Sequence, residues 1–179
     1  MATNNCGTEW STAGDGNFSD FSNPETTYTP GEGDLANGSV VLTFTALTCE
    51  PCNGNVSDEL TLTIVPLPYA FAGDDAAIAA GENYEITDAV AQNASAFGWT
   101  TSGDGSFDNP EILLPTYTPG SGDELSGSVN LCLVVQPLNP CTLSSTDCLI
   151  LTIASLPTAN AGQDATICET ANFLIEGAS

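Results

Sequence analysis

The reactive side chains of this chain are almost all carboxylates and thiols. It has 23 Asp and Glu residues, seven Cys, and no Lys, Arg or His. Without His there is no imidazole base and no His metal ligand. Without Lys there is no Schiff base and no Lys-based isopeptide cross-link, and without Arg there is no bidentate clamp for phosphate. The chemistry left open is that of paired carboxylates, of oxygen ligands for calcium, and of disulfide bonds.

Two adjacent acidic pairs, Asp58-Glu59 and Asp123-Glu124, raise the question of glycosidase chemistry. That chemistry needs two carboxyl groups that face each other across a cleft. Both pairs are expected in turns or at strand starts, and they recur imperfectly along the chain. We therefore expect no enzymatic activity and assign no catalytic residue.

Calcium is the one cofactor that the acidic residues favour. It needs several oxygens converging at about 2.3–2.6 Å. Asp74, Asp75 and Asp164 follow Leu-Pro segments at the predicted module joints, where a bridging ion would stiffen the chain. No EF-hand pattern and no calcium-binding nonapeptide repeat is present. The alternative is an acidic surface in contact with solvent, with turn-forming Asp residues.

Most of the cysteines are predicted to form disulfides of an exported protein, because a single CxxC without His is a weak zinc signal. Cys132 and Cys148 have matching parity on two adjacent predicted strands, so we predict a bond between them on the outer face. Cys6 is predicted to reach either Cys49 or Cys52 in a loop at the same end of the module.

The charge of the chain excludes several classes of partner. Its formal net charge is −23, and no cationic side chain is available to neutralise phosphate. Binding to nucleic acid or to an anionic membrane surface is therefore not expected. Apolar residues make up 41% of the chain, which suffices for a core, but stretches such as 131–135 are too short to cross a bilayer.

An internal repeat dominates the sequence. Shifting the chain against itself by 89 residues makes 37 of the 90 overlapping positions identical. Residues 9–18 match 98–107, and Thr27–Gly31 match Thr116–Gly120. Such self-similarity is typical of tandem modules.

Each repeat is predicted to be rich in β-structure. Apolar residues alternate mainly with Thr in Val40–Thr45 and Leu60–Ile64, as they do in half-buried strands. The Gly-Asp-Gly segments at 14–16 and 103–105 predict hairpin turns, because Gly adopts positive φ without strain. No apolar stripe of helical period is convincing. The pattern predicts an all-β fold of tandem immunoglobulin-like Greek-key sandwiches, with Trp10 and Trp99 as core anchors between the sheets.

The repeat divides the chain into three predicted segments. Residues 1–67 form an incomplete module with strands C to G, 68–156 form a complete module, and 157–179 hold the first two strands of a following module. Those two strands are predicted near 161–167 and 171–176. Two interpretations follow. Either the segment is a window in a longer array, which we prefer, or each chain donates its last two strands to the next subunit.

Several of these motifs resemble a known group of proteins. Pro157–Glu169 resembles the opening of PKD-type (polycystic-kidney-disease) and related immunoglobulin-like modules. Residues 99–107 and 117–120 resemble repeats of very large secreted Bacteroidota surface proteins, among them gliding-motility adhesins and cell-surface filaments. The resemblance implies an extracellular, cell-surface location and a structural or adhesive role without catalysis. The lack of Lys and Arg departs from such repeats.

The expected function is a semi-rigid stalk of stacked sandwiches within an extracellular adhesin or filament. Its expected partners are neighbouring modules, copies of itself, or surface glycans. One alternative is a carbohydrate- or protein-binding module, for which Tyr69 and Phe71 are the candidate aromatic residues, because their repeat counterparts are Thr158 and Asn160. Another is a fibre subunit that polymerises by strand donation.

Overall fold

The computed structural model describes residues 5–169 and 171–178. Its elements are short strands and two six-residue helices. In chain order they are β1 Gly7–Thr12, β2 Asn17–Phe18, β3 Tyr28–Thr29, α1 Glu32–Asn37, β4 Ser39–Leu47, β5 Val56–Thr63, β6 Tyr69–Phe71, β7 Ala76–Ala79, β8 Tyr84–Glu85, β9 Val90–Gln92, β10 Ala94–Thr101, β11 Ser106–Phe107, β12 Thr116–Thr118, α2 Ser121–Ser126, β13 Ser128–Pro137 and β14 Ser145–Ala154.

The chain forms two compact units. One contains residues up to Pro68 together with Pro137–Leu143, and the other contains Tyr69–Gln136 with the residues from Ser144 onward. The strands of the two units follow the 89-residue repeat, since β1 to β5 correspond to β10 to β14.

The second unit has two layers. One sheet has the order β10-β13-β14-β7, and the facing strands form a sheet β11-β12-β8 and a pair β6-β9. On β14, Leu149, Leu151 and Ile153 alternate with exposed residues and are almost fully buried, because successive side chains point to opposite faces. They pack with Trp99 and Tyr117 in one core. The predicted all-β, immunoglobulin-like sandwich is confirmed.

The first unit repeats part of this arrangement. Its larger sheet has the order β1-β4-β5, and β2 pairs with β3. Trp10 lies on β1 opposite Phe44 on β4. Strand β5 is an edge strand here, whereas its counterpart β14 has neighbours on both sides.

The two short helices were not predicted. Each begins after a Gly N-cap, Gly31 or Gly120, and ends at a Gly in the left-handed region, Gly38 with φ 69° or Gly127 with φ 72°. Only about one and a half turns form, which is too short to display an apolar stripe of helical period. Neither helix has the length or apolar character that a membrane crossing needs, within the residues described.

The strands predicted near 161–167 and 171–176 are wrong for this structure. From 157 to 169 and from 171 to 178 the chain forms no helix or strand. The corresponding strands of the second unit, β7 and β8, pair with β14 and β12. A strand needs such a neighbour to satisfy its backbone groups, and none of the described strands pairs with this segment.

Candidate functional site

The Gly-Asp-Gly segments join the two layers of each unit. Residues 14–16 connect β1, which pairs with β4, to β2, which pairs with β3. Residues 103–105 connect β10 to β11 in the same way. The predicted hairpin at these segments is therefore wrong, because the strands on either side belong to different sheets. The segments instead take part in a hydrogen-bonded polar cluster in each unit.

In the first unit, Asp15 caps the helix α1. Its carboxylate oxygens accept hydrogen bonds from the backbone N–H groups of Gly33 at 2.8 Å and Asp34 at 3.1 Å. These are two of the N–H groups that a helix leaves unpaired at its start. Gly31, at the N-cap, has no side chain to bind them, so Asp15 supplies the acceptor from a distant part of the chain.

Asp34, on helix α1, in turn accepts hydrogen bonds from the segment that contains Asp15. It is 2% exposed. One carboxylate oxygen accepts from the Tyr28 hydroxyl at 2.6 Å and from the N–H groups of Gly16 at 3.2 Å and Gly31 at 3.1 Å. The other accepts from the Asp15 N–H at 3.4 Å. The two carboxylates thus bind each other's segments, and we call this arrangement the reciprocal cap.

Close packing explains the glycines of the motif. A Cβ on Gly14 would overlap Asp34 Oδ1, and a Cβ on Gly31 would overlap Asp15 Oδ1. Gly14 and Gly16 are absent from the residues with positive φ, so the predicted reason for these glycines, a turn with positive φ, is wrong. The residue is needed because the backbone and a carboxylate approach each other closely.

The second unit contains the same reciprocal cap. Asp104 accepts from Gly122 N–H at 2.9 Å and Asp123 N–H at 3.1 Å. Asp123, also 2% exposed, accepts from the Tyr117 hydroxyl at 2.7 Å and from the N–H groups of Asp104 and Gly105 at 3.2 and 3.1 Å. The cluster is therefore a property of the repeat rather than of one position.

Both buried carboxyl groups are held in their ionised form. The pKa of Asp34 lies below its ordinary value, chiefly because Tyr28 donates a hydrogen bond to the carboxylate. Burial opposes ionisation of Asp123, but the bonds from Tyr117 and from backbone N–H groups outweigh it, so its pKa is also lowered. Burial in turn raises the pKa of Tyr117 to about 12.

The lowered pKa values of Asp34 and Asp123 are the opposite of what a catalytic acid needs. A general acid in glycoside hydrolysis needs a raised pKa so that it keeps a proton near neutral pH. Asp123 has a lowered pKa and donors on both oxygens, and its neighbour Glu124 accepts the N–H of Gly81 at 2.9 Å. The reciprocal cap therefore holds turn and helix together, and its oxygens are occupied by the protein itself.

The predicted calcium ligands are not gathered into a site. Asp75 Oδ1 accepts the N–H of Ile150 on β14 at 2.7 Å, and the N–H of Asp74 donates to Asp88 at 3.4 Å. No group of three or more Asp, Glu, His or Cys residues that could hold a metal occurs in the described ranges. Asp74, Asp75 and Asp164 therefore do not form one there.

Two disulfides occur among the residues that the structure describes. One joins Cys132 to Cys148, which lie directly opposite each other on β13 and β14, as the strand parity predicted. The other joins Cys6 to Cys49 rather than to Cys52, so the structure decides between the two alternatives. Cys52 and Cys168 are exposed free thiols.

The two tryptophans begin equivalent rows of aromatic rings. Trp99 lies 5.7 Å from Phe107, which lies 5.0 Å from Tyr117. Trp10 lies 5.8 Å from Phe18 in the same order. Trp99 is 4% exposed, while Trp10 is only partly buried.

The two aromatic residues considered for glycan binding are on β6. Tyr69 is 51% exposed and Phe71 is partly buried. One exposed ring does not provide the aromatic face that carbohydrate-binding modules use.

Comparison with known proteins gives a structural likeness only. No protein-family model and no curated protein matches the chain. Domains 1–4 of the extracellular cadherin region of protocadherin gamma B7 match with 13% identity and a TM-score of 0.44, over 87% of this chain and 41% of that chain. Domains 3–6 of protocadherin gamma B2 match with 12% identity and 0.39, over 82% and 41%.

A third solved structure, domains EC1–2 of human mucin-like protocadherin, is 10% identical with a TM-score of 0.39, covering 84% of this chain and 86% of that chain. The chain thus spans about two-fifths of the protocadherin gamma B2 structure and most of the mucin-like one. Scores this low assign no function.

Proposed function

We propose that this chain is a non-catalytic structural segment of an extracellular, cell-surface adhesin or filament, of the kind that its motifs resemble in Bacteroidota. In this proposal, β-sandwich modules of about 89 residues stack end to end into a semi-rigid stalk. The module boundaries are those of the repeat, with residues 1–67, 68–156 and 157–179 belonging to three successive modules.

The observation that carries the proposal is the duplication of the reciprocal cap. A binding or catalytic site is usually built once, from residues that leave an atom available to a ligand. Here the same carboxylates, tyrosine and glycines recur after 89 residues with the same partners, and their oxygens are occupied. Repetition of a closed polar network supports a role in building each module.

Three further features support a stalk outside the cell. The joint at Pro66–Leu67–Pro68 lacks Gly and Ser, and proline restricts the backbone. Disulfides persist in oxidising compartments, and the structure has two. A formal charge of −23 without cations discourages lateral association at low salt.

Small-angle X-ray scattering on monomeric protein tests the stalk. We expect a maximum dimension close to the summed lengths of two sandwiches and a narrow distribution of distances. The variant Pro66→Gly/Pro68→Gly should broaden that distribution, because the joint loses its restricted backbone. A compact particle, or no difference between the two proteins, would contradict a semi-rigid joint.

A further inference from the structure

Three cysteines of the first unit lie together at one end of its larger sheet. Cys6, just before β1, is bonded to Cys49, which follows β4, and Cys52 in the same loop is a free thiol. Cys6 and Cys52 are exposed, and Cys49 is half-buried. A nucleophilic thiol and a disulfide therefore occupy one short segment, and neither takes part in the reciprocal cap.

A tight turn holds Cys52 beside this disulfide. The Cys52 N–H donates to the Cys49 carbonyl at 2.9 Å. Such a bond closes a β-turn, in which the Cα atoms of the first and fourth residues lie within about 7 Å of each other. A disulfide needs a Cα separation of about 4.4–6.8 Å, and the Cys6–Cys49 pair has 5.1 Å. The turn therefore places Cys52 at a distance compatible with a bond to Cys49, besides the bond that Cys49 makes to Cys6.

The equivalent loop between β13 and β14 keeps the turn but not the disulfide. Cys141 corresponds to Cys52 after the 89-residue shift, and its N–H donates to the Leu138 carbonyl at 2.9 Å. The positions of the bonded cysteines are taken there by Ser95 and Leu138. The Cys141 thiol instead donates to the Val65 carbonyl at 3.6 Å. Of the two equivalent turns, only the first therefore combines a thiol with a disulfide.

We propose that Cys6, Cys49 and Cys52 form a thiol–disulfide exchange site. The Cys52 thiolate attacks Sγ of Cys49, the bond between Cys6 and Cys49 breaks, and a bond between Cys49 and Cys52 forms. Cys6 leaves with the electron pair of the broken bond and takes up a proton, which replaces the one that Cys52 lost. One disulfide and one thiol are present before and after, so the step needs no oxidant or reductant. The inference is independent of the stalk role proposed above.

Exchange changes how strand β1 is held. In the present state the disulfide ties the start of β1 to the end of β4 and spans 43 residues. After exchange, β1 is held by noncovalent contacts alone. These include the pairing of Gly7–Thr12 with Leu42–Leu47 and the bond from the Cys6 N–H to the Leu47 carbonyl at 2.9 Å. The site thus has a state in which β1 is covalently fixed, and a state in which it is not and the free thiol is on Cys6.

The pairing of β1 with β4 favours the present state, because it keeps Cys6 next to Cys49. Where that pairing opens, loop-closure entropy favours the short loop between Cys49 and Cys52 over one that spans 43 residues. We therefore expect the Cys6–Cys49 isomer to predominate in native protein. The Cys49–Cys52 isomer should increase as β1 is released.

Disulfide mapping of the 179-residue chain tests the proposal. Protein without added reductant is kept at about pH 8.5, where thiolates form, and acid then stops exchange. Pepsin, which requires neither Lys nor Arg, cleaves the acidified protein, and mass spectrometry shows whether Cys6 is bonded or free. We expect native protein to contain roughly 1% or more of the Cys49–Cys52 isomer within about a day. Urea below the unfolding transition should raise that share at least about fivefold.

Serine variants of the free cysteines identify the attacking thiol. Cys52→Ser should leave Cys6 bonded to Cys49 in every sample, because the nucleophile is gone. Cys141→Ser is the matched control, since it removes the thiol of the equivalent turn, and Cys168→Ser removes the other exposed free thiol. Both controls should keep the share of free Cys6 within about twofold of the unsubstituted chain. Tryptophan fluorescence checks that all three variants fold.

Three outcomes would overturn the proposal. The first is a Cys49–Cys52 isomer that forms only in fully unfolded protein. The second is free Cys6 that appears equally in the unsubstituted chain and in Cys52→Ser, which would assign the attack to another thiol. The third is a share of free Cys6 that rises in proportion to protein concentration, which would show exchange between chains rather than within the turn.

Discussion

The two units share one module architecture, but the core of the second unit is more completely buried than that of the first. Leu60 and Leu149 are equivalent, yet the first is 45% exposed and the second is fully buried. Tyr28 is only partly buried and Tyr117 is 0% exposed. The second unit has strands β7 and β8 beside β14 and β12, and β5 and β3 have no such neighbours in the described first unit. Burial of the core thus depends on those two strands.

The reciprocal cap is the part that does not depend on them. Asp34 and Asp123 are both 2% exposed and accept from tyrosine and glycine groups at nearly the same distances. The residues of each cap lie within about one quarter of a module, between β1 and α1 or between β10 and α2. The cap of the first unit forms without strands equivalent to β7 and β8, whereas full burial of the core occurs only in the unit that has them.

Removal of a disulfide should reduce stability more than any other substitution considered below. The loss should be larger for the disulfide of the first unit. Cys6–Cys49 spans 43 residues and Cys132–Cys148 spans 16. Loop-closure entropy then predicts a cost of about 4 kcal/mol for Cys6→Ser/Cys49→Ser and about 3 kcal/mol for Cys132→Ser/Cys148→Ser. Hydrogen exchange read separately on peptides of each unit measures both. Equal losses of stability would show that loop length does not determine how much each disulfide contributes.

Truncation of the equivalent leucines tests the difference in closure. In monomeric protein, Leu149→Ala should destabilise the second unit by about 3 kcal/mol, because it leaves a cavity in a packed core. Leu60→Ala should cost the first unit about 1 kcal/mol or less, because Leu60 is already partly in water. Denaturant unfolding followed by hydrogen exchange compares them. Similar losses would mean that the exposed edge is not open in solution.

Glycine substitution tests the close approach within the reciprocal cap. Gly103→Ala should destabilise the second unit by about 2–3 kcal/mol, because the new Cβ overlaps Asp123 Oδ1. Gly98→Ala is the control, since its Cβ would lie 3.7 Å from Pro110 O, an ordinary contact. Gly14→Ala should affect the first unit as Gly103→Ala affects the second. A neutral Gly103→Ala would disprove the packing explanation.

The pH dependence of stability should distinguish the contribution of Tyr117 from that of Asp123. The pKa of Tyr117 is raised to about 12 from 10.0, so the stability that its protonated form contributes is complete below pH 10 and is lost as pH rises toward 12. Tyr117→Phe should remove this alkaline loss, which thermal melts at several pH values detect.

At the acid end the sign is reversed. The pKa of Asp123 is lowered, so its contribution is present above the ordinary Asp value of 3.8 and is lost as pH falls through the lower folded value. Asp123→Asn should flatten the acid limb of the second unit only. An unchanged limb would show that other carboxylates dominate acid unfolding.

The predicted disulfide between Cys132 and Cys148 shows how far sequence reasoning reaches. Parity on two strands joined by one hairpin is a local property, so the sequence alone predicts that the two residues lie opposite each other. The partner of Cys6 stayed open between Cys49 and Cys52, because the conformation of a loop decides which thiol it meets. The structure selects Cys49.

The reciprocal cap shows where such reasoning fails. Gly-Asp-Gly is the usual signal of a tight hairpin, yet here it joins two sheets and its glycines make room for a carboxylate. The acceptor role of Asp34 depends on a six-residue helix that leaves no periodic signal. Its one sequence trace is the recurrence of Pro-Gly-x-Gly-Asp after each Tyr-Thr, which a repeat comparison shows but local propensity does not explain.

The amino-acid sequence alone establishes the repeat, the β-rich composition, the alternation that predicts one buried face on each long strand, and a charge that excludes anionic partners. These are properties of spacing and residue type. The tertiary structure was needed to show which acids are buried, which thiol Cys6 meets, and that each Gly-Asp-Gly segment joins two sheets. Those outcomes depend on contacts between segments that are far apart in the chain, and a local sequence pattern does not specify such contacts.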